Sequence, residues 1–534
     1  MTIPSSTLPA HEPNPMDTNT CIRHRCLALT ACAAVATLAS CSVAPSVNRV
    51  SSEATGAGGT TSVSSAATDI PLSALRIPHS PNIIFILVDD MGYGDIQPYG
   101  STKNRTPHLN RMAAEGMKFT SYYTAPLCTA SRTQSMTGCY AKRVSMPMVL
   151  GPGSGTGLSL KEHTIAELLK KQGYATMMVG KWHLGDQPKF LPTKRGFDAY
   201  LGLPYSNDMD SNRGLGYPPL PLIRDDKPVE IITPEKQDHL EERYTEAALK
   251  FIREQAAAKR PFFFYFAHTA VHVPIHPGPK FKGKSANGRY GDWVEEVDWT
   301  TGRILDTLRE LNIADNTLVF FASDNGPWLT KGKDAGTAFP LRGGKGGTYE
   351  GGVREPAIAW WPGKIPPATT IDTIVGSIDL LPTFVALAGG TVPPDNKIDG
   401  ADITPILLGK TKESPRKTNY YFYEKTLEAV RCGPWKLAIA PQDERTPGFK
   451  YVKDPNFVPR LYNLDTDIAE RHDVAAANPA IVKQLLALVA EMDNDLGIKT
   501  KGPGVRPAGK VDKPVKLWLP GQEPPKKTTK QHYD

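Results

Sequence analysis

Four short runs of the chain are apolar at nearly every position: NIIFILV (82–88), YATMMVG (174–180), PFFFYFA (261–267) and TLVFFA (317–322). A strand with one wet face alternates apolar and polar residues, so unbroken runs of this length predict parallel strands covered on both faces. Between them the period changes to that of a helix. Thr106-Pro107 predicts a helix start with proline at the first helical position, and Gly116 its end. Thr164 and Glu167 form a capping box ahead of LLKKQ, and Gly173 closes that helix. Longer amphipathic helices are predicted over 240–259 and 290–312, with Trp293, Val294, Val297 and Leu305 as a packing stripe. Strands and helices alternating in this way predict repeated βαβ units and a doubly wound α/β core.

The residues after each apolar run carry the chemistry. Asp89 and Asp90 follow the first, Lys181 and His183 the second, His268 and His272 the third, Asp324 and Asn325 the fourth. Open α/β sheets bind ligands at the carboxyl ends of their strands, so four strands bring acids, bases and cations to one edge. Asp89, Asp90, Asp324 and Asn325 are hard oxygen donors with no thiolate cage. They suit Ca²⁺, with Mg²⁺ as the alternative, and not Zn²⁺. Lys181, His183, His272 and Lys345, the last in LRGGKGGTYEGGVREP, are donors to an anion. A divalent cation facing two lysines and two histidines describes a site for a tetrahedral oxyanion.

Composition adds the ends of the chain to this picture. The 534 residues carry a net charge of +7, but residues 501–534 hold eight Lys or Arg against three Asp or Glu. The body is therefore close to neutral and shows no nucleic-acid footprint. Arg23 and Arg25 precede the short apolar run CLALTACAAVATLAS, which reads as an export signal and not as a membrane span. Its end, Leu38-Ala39-Ser40-Cys41, resembles a bacterial lipobox, which implies cleavage before Cys41 and lipidation of that thiol. Cleavage near Ala39 by an ordinary signal peptidase is the alternative, and Met16 is an alternative start. Residues 1–40 are thus read as a lipoprotein-type signal, 41–80 as a Ser/Thr/Gly/Ala-rich tether, 81–410 as the catalytic domain and 411–500 as a C-terminal subdomain. The Pro/Lys-rich tail, 501–534, is expected to be a disordered basic arm, with packing over the site as the alternative. Beyond the signal and Cys41, three cysteines remain: Cys128, Cys139 and Cys432. An odd number in an oxidising compartment leaves at least one free, modified or paired outside the chain.

Cys128-Thr129-Ala130-Ser131-Arg132, followed by Thr137-Gly138, resembles the signature of the formylglycine-dependent (type I) sulfatases, Cys-x-(Pro or Ala)-x-Arg. LVDDMGYGD, GKWHLG, FASDNG and LRGGKGGTYEGGVREPA stand in that family's order, and LYNLDTDIAERHDVA resembles its C-terminal part. The likeness covers about residues 81–497 and points to the arylsulfatase A and N-acetylgalactosamine-6-sulfatase branch. It implies an alkaline-phosphatase-like α/β fold, a mixed and mostly parallel sheet flanked by helices, with a smaller C-terminal α+β domain.

The resemblance also implies roles. Cys128 would be oxidised to formylglycine by a separate maturation enzyme. Hydrated, that aldehyde offers one hydroxyl to attack sulfur and a second to expel sulfate. Asp89, Asp90, Asp324 and Asn325, with modified residue 128, would hold the cation. Lys181, Lys345 and His272 would bind the sulfate, and Ser206 in LGLPYSND matches a further sulfate-binding position. His272 or Lys345 would protonate the leaving alcohol, His183 would take a proton in the second step, and Arg132 would orient residue 128. His272, not His268, precedes x-Pro and is the expected catalytic histidine. The expected activity is hydrolysis of an aryl sulfate or sulfated sugar by an exported, periplasmic or cell-surface lipoprotein anchored in the membrane at Cys41. Two other functions are weighed: a phosphodiesterase or phosphatase of the same superfamily, and an inert lipoprotein that binds sulfated glycans. The extra Asp/His ligands of the dizinc members are missing, and the intact nucleophile, acids and lysines argue against inertness.

Overall fold

A computed structural model describes residues 80–519. The predicted signal, its Cys41 and the tether up to residue 79 lie outside the described residues, as do residues 520–534. All four apolar runs are strands: Asn82–Val88, Ala175–Lys181, Phe262–Ala267 and Thr317–Ser323. They lie side by side and parallel in an eleven-stranded sheet, in the order Thr317–Ser323, Asn82–Val88, Phe262–Ala267, Ala175–Lys181. Ala199–Leu203 extends the parallel set, and Pro221–Arg224 and Lys227–Ile231 add an antiparallel edge. On the other side Arg354–Trp360 pairs antiparallel with both Thr317–Ser323 and Met117–Tyr123, so the sheet is mixed but parallel at its centre.

Burial explains the runs. Ile83, Phe85 and Leu87 enter one apolar core, while Ile84, Ile86 and Val88 enter a second on the opposite face. Helices Leu240–Ala257 and Gly288–Glu310 cover the second face, and the predicted stripe of Trp293, Val294, Val297 and Leu305 is buried there. Helix Pro107–Glu115 ends before Gly116, and helix Ile165–Lys171 carries the expected capping box: the Glu167 amide donates to Thr164 Oγ1 at 3.2 Å and the Thr164 amide to Glu167 Oε2 at 2.9 Å.

A four-stranded antiparallel sheet follows, Thr418–Tyr423, Thr426–Cys432, Trp435–Ala438 and Arg460–Asn463, against which helix Pro479–Asp495 packs through Leu485, Val489 and Met492. A buried charge cluster ties this sheet to the larger one. Lys436 Nζ lies 3.1 Å from Glu350 Oε1 and 2.7 Å from Glu470 Oε1, and Tyr123 and Tyr421 donate to Glu350 at 2.5 and 2.8 Å.

The tail corrects the expectation of a disordered arm, as far as residue 519. Gly509–Lys510 pairs antiparallel with Thr156–Gly157, and Arg506 reaches Glu162 with two bonds of 2.8 Å. Gln187 exchanges two 2.8 Å bonds with the backbone of Val515, and Leu517 is buried in the main core. A basic, proline-rich composition did not leave the segment free, because backbone pairing and one apolar anchor hold it. Cys139 is a buried thiol that accepts from Arg506 at 3.3 Å.

Candidate active site

The parallel centre of the sheet sets the carboxyl ends of four strands side by side. Gly180 has φ 92°, and a Cβ there would fall 1.7 Å from the Ala267 carbonyl oxygen. Only glycine lets the strand lie this close to its neighbour and deliver Lys181 to the edge. Asp90 and His183 adopt φ 61° and 62°. Such left-handed backbone is rare in non-glycine residues and is stored mainly at functional sites.

Helix Cys128–Thr137 starts at the signature cysteine, and all ten of its residues are buried. Cys128 and Arg132 are one turn apart and share a face. Arg132 is fully buried and clamps the acids: Nε donates to Asp324 Oδ2 at 3.0 Å, Nη1 to the Lys181 carbonyl at 2.7 Å, and Nη2 lies 3.5 Å from Asp89 Oδ2. Lys181 Nζ pairs with Asp89 Oδ2 and donates to Ser206 Oγ at 3.2 Å. Lys345 Nζ lies 2.7 Å from Asp90 Oδ1. The Asp90 amide donates to Asp324 Oδ1 at 3.2 Å, and Asn325 Nδ2 to Asp90 Oδ1 at 2.7 Å. Cys128, His183, Ser206, His272 and Lys345 line one cavity of about 310 Å³. Asp89, Asp90, Cys128, Arg132, Lys181, His183, Ser206, His272, Asp324, Asn325 and Lys345 are therefore brought together.

Three buried carboxylates face three buried cations here, and burial pulls both kinds toward neutrality. Burial pushes the Asp89 carboxyl up, yet Lys181, His272 and Arg132 hold it well below the usual range. Asp324 is pushed up by burial and by the Asp89 charge. Burial likewise raises the Cys128 thiol, with Lys181 and Lys345 opposing. A nucleophilic thiolate needs the opposite shift, so an unmodified Cys128 is poorly suited to attack. His183 is held well below its ordinary value by burial and by Lys181. Its Nε2 lies 2.9 Å from the Leu150 carbonyl and so carries the proton, which leaves the buried Nδ1 unpartnered as a base. The His272 ring is set by Nδ1 against the Val273 carbonyl at 2.6 Å, with Nε2 3.6 Å from Asp90 Oδ2. Burial, then Lys345, lower its pKa.

Asp89 Oδ1 and Asn325 Oδ1 are buried oxygens without a hydrogen-bond partner. Orphaned hard donors beside crowded carboxylates fit a divalent cation of the Ca²⁺ or Mg²⁺ kind. Ligand atoms of Asp89, Asp90 and His272 all lie within 4.8 Å of one another, which adds a histidine to the expected neighbourhood. Asp324 is engaged mainly with Arg132 and the Asp90 amide. His268 stands apart, as expected: fully buried, 2.6 Å from Glu241 Oε2 and stacked on Phe266.

Asp208, Arg213, Trp328, Tyr423 and Arg445 also line the cavity and were not singled out in the sequence. Asp208, Trp328 and Arg445 sit on loops, Arg213 closes the turn Ser211–Arg213 and Tyr423 ends strand Thr418–Tyr423, and none of them follows one of the four apolar runs. Arg445, at φ 56°, leaves the one trace that a fold can supply, strained backbone.

Comparison with known proteins agrees with this geometry. Residues 81–390 match the Sulfatase family model, and residues 344–495 match the N-sulphoglucosamine sulphohydrolase C-terminal model. The chain is 36% identical over 491 residues to N-acetylgalactosamine-6-sulfatase of Canis lupus familiaris, covering 84% of this chain and 92% of that protein. It is 38% identical over 462 residues to arylsulfatase A of Homo sapiens, covering 79% and 90%. The crystal structure of PsFucS1 sulfatase from Pseudoalteromonas sp. superposes with a TM-score of 0.72 at 29% identity, covering 80% of this chain and 93% of that one. With an alkaline-phosphatase-like mixed sheet, a separate C-terminal sheet and a buried signature helix, the chain belongs to the sulfatase family and is a sulfuric ester hydrolase.

Proposed function

We propose that this enzyme cleaves the sulfate ester of a sulfated sugar, using residue 128 as formylglycine and one divalent cation, and that it works outside the cytoplasm as a lipoprotein anchored at Cys41. The single observation behind the catalytic part is the shared cavity of Cys128, His183, His272 and Lys345 beside the Asp89–Asp90–Asp324–Asn325 cluster. A formylglycine would supply, as its hydrate, a hydroxyl nucleophile and a built-in route for releasing sulfate. Asp89, Asp90, Asp324 and Asn325 would hold the cation, whose charge favours the sulfate oxygens and the ionised hydroxyl. Lys181, Lys345, His272 and Ser206 bind the sulfate oxygens. Arg132 fixes the acids and, through its helix, the position of residue 128. His272 or Lys345 gives a proton to the leaving oxygen, and His183 takes one at residue 128 through Nδ1. The sugar preference rests on the name of the N-acetylgalactosamine-6-sulfatase relative and on the charged side chains of Asp208, Arg213 and Arg445 in the cavity wall.

The test of this reading is mass spectrometry of the peptide containing Cys128 from active enzyme, with elemental analysis of the same sample. An intact thiol in fully active protein, or stoichiometric zinc with no alkaline-earth ion, would reject it. Chelation should remove activity, and Ca²⁺ or Mg²⁺ should restore it.

The two histidines should separate by leaving group. His272→Ala should lose roughly a hundredfold or more on sugar sulfates, the usual size for a lost general acid, and recover partly on 4-nitrophenyl sulfate, whose leaving group needs no proton. His183→Ala should be impaired on both. Equal leaving-group dependence in the two variants would reverse or erase the assignment.

A further inference from the structure

Asp208 puts a negative charge into the wall of a cavity built for an anion. It lines the same space as Cys128, His272 and Lys345. Its Oδ2 is paired with Arg213 at 2.8 Å, and its side chain is only 14% exposed. Its Oδ1 is closed off from the cavity, and the Ser206 hydroxyl stands beside the carboxylate. The part of the group that meets the cavity repels a sulfate and favours a neutral donor on the substrate, close to the ester.

Resting on the sulfatase reading above, we propose that Asp208, held in place by Arg213, accepts a hydrogen bond from a hydroxyl or N–H group neighbouring the sulfate ester, and is a specificity-determining residue for sulfated sugars. Arg213 also lines the cavity and is 40% exposed, so the pair offers an acceptor and a donor together. Adjacent substituents of a sugar ring, a hydroxyl beside a second hydroxyl or an acylamino group, match that pattern. An unsubstituted aryl sulfate offers neither partner. The chemistry also explains why a carboxylate is tolerated here: the Asp208–Arg213 pair adds no net charge to the pocket, while the carboxylate favours a donor over an anion. A site built to hydrogen-bond a substrate group discriminates strongly against analogues lacking it, because its own buried atom is then left unpaired.

The experiment compares purified parent enzyme with Asp208→Ala and Asp208→Asn. The substrates are 4-nitrophenyl sulfate and a set of sugar sulfates that includes N-acetylgalactosamine 6-sulfate, galactose 6-sulfate and glucosamine 6-sulfate. For the best sugar, the ratio of its kcat/KM to that for 4-nitrophenyl sulfate should fall roughly tenfold to a hundredfold in Asp208→Ala, as for a lost bond to a charged acceptor. The fall should be smaller in Asp208→Asn, which keeps one acceptor oxygen. Deoxy analogues of that sugar identify the donor: one of them should cost the parent a similar factor and cost Asp208→Ala little more. Equal losses on both substrate classes would mean that Asp208 only supports the pocket, and an unchanged ratio would mean that it touches nothing; either overturns the proposal. So does a parent enzyme that cleaves the aryl sulfate and none of the sugars. A parent that cleaves neither class fails the sulfatase reading itself. Circular dichroism and melting temperature show whether each variant is folded, and Asp208→Asn carries the test if the alanine variant is not.

Discussion

Cys128→Ala should fold, melt close to the parent and hydrolyse 4-nitrophenyl sulfate on the order of a millionfold more slowly, the scale seen when an enzyme loses its nucleophile. The stability half of this expectation comes from the position. Residue 128 is the first of its helix and is 2% exposed, and alanine is the best helix former, so only one buried heavy atom is lost. The activity half comes from what remains. Lys181, Lys345, His183 and His272 would still bind and polarise the ester, but nothing at 128 could attack it. A folded variant with a tenth of parental activity would show that water is the nucleophile and that the cysteine signature serves packing alone. Cys128→Ser is the informative companion, because a hydroxyl there can attack once but lacks the second hydroxyl that releases sulfate.

Lys436→Met should destabilise the protein by roughly 3–5 kcal/mol, the range for breaking a buried ion pair from one side. Lys436 is fully buried and stands between two glutamates, Glu350 and Glu470, that are themselves fully buried. Methionine fills the volume but leaves the carboxylates facing each other. Burial pushes the Glu350 carboxyl up, and Lys436, Arg354 and Arg431 more than reverse this, so its pKa lies below the ordinary glutamate value. A carboxyl depressed in the folded state contributes stability above its unfolded pKa and loses it as the pH falls through the folded one. The parent should therefore weaken on acidification below about pH 4, near the ordinary glutamate pKa, and Lys436→Met should weaken less there. Urea unfolding across that range measures both effects, and adding Glu470→Gln should return part of the loss. A Lys436→Met protein as stable as the parent at neutral pH would show that water or rearrangement already compensates the joint.

Much of this arrangement can be read from the sequence, and the reason is local. A strand buried on both faces has to be apolar at every position, and a polar residue directly after it has to lie at the sheet edge. Asp89, Asp90, Lys181 and Asp324 could thus be placed together without knowing the strand order. Cys128 and Arg132 share a face because they are one helical turn apart. The same logic fails for Met117–Tyr123 and Arg354–Trp360, whose mixed polarity hides strands that lie within the sheet. It fails more fully for Asp208, Arg213 and Arg445. Their meeting depends on how a long loop and a separate sheet pack around the cavity, which no period along the chain encodes. The tail misled for a related reason: composition describes a segment's average tendency, whereas Arg506, Val515 and Leu517 are held by individual partners.

The burial of all ten residues of helix Cys128–Thr137 bears on the order of events in the cell. On the formylglycine reading proposed above, an enzyme that recognises Cys128 by its neighbours would have to grip the segment before it coils. In the finished protein that peptide is coiled, enclosed and bonded to the interior through Arg132. Maturation and folding would then compete for the same nascent segment. A chain that folded first would be sealed in its thiol form, and later exposure to the maturation enzyme would not rescue it. Preparations made in different hosts would differ in the fraction of competent molecules and not in the turnover of each one, so specific activity would report the biogenesis of the sample as much as its chemistry.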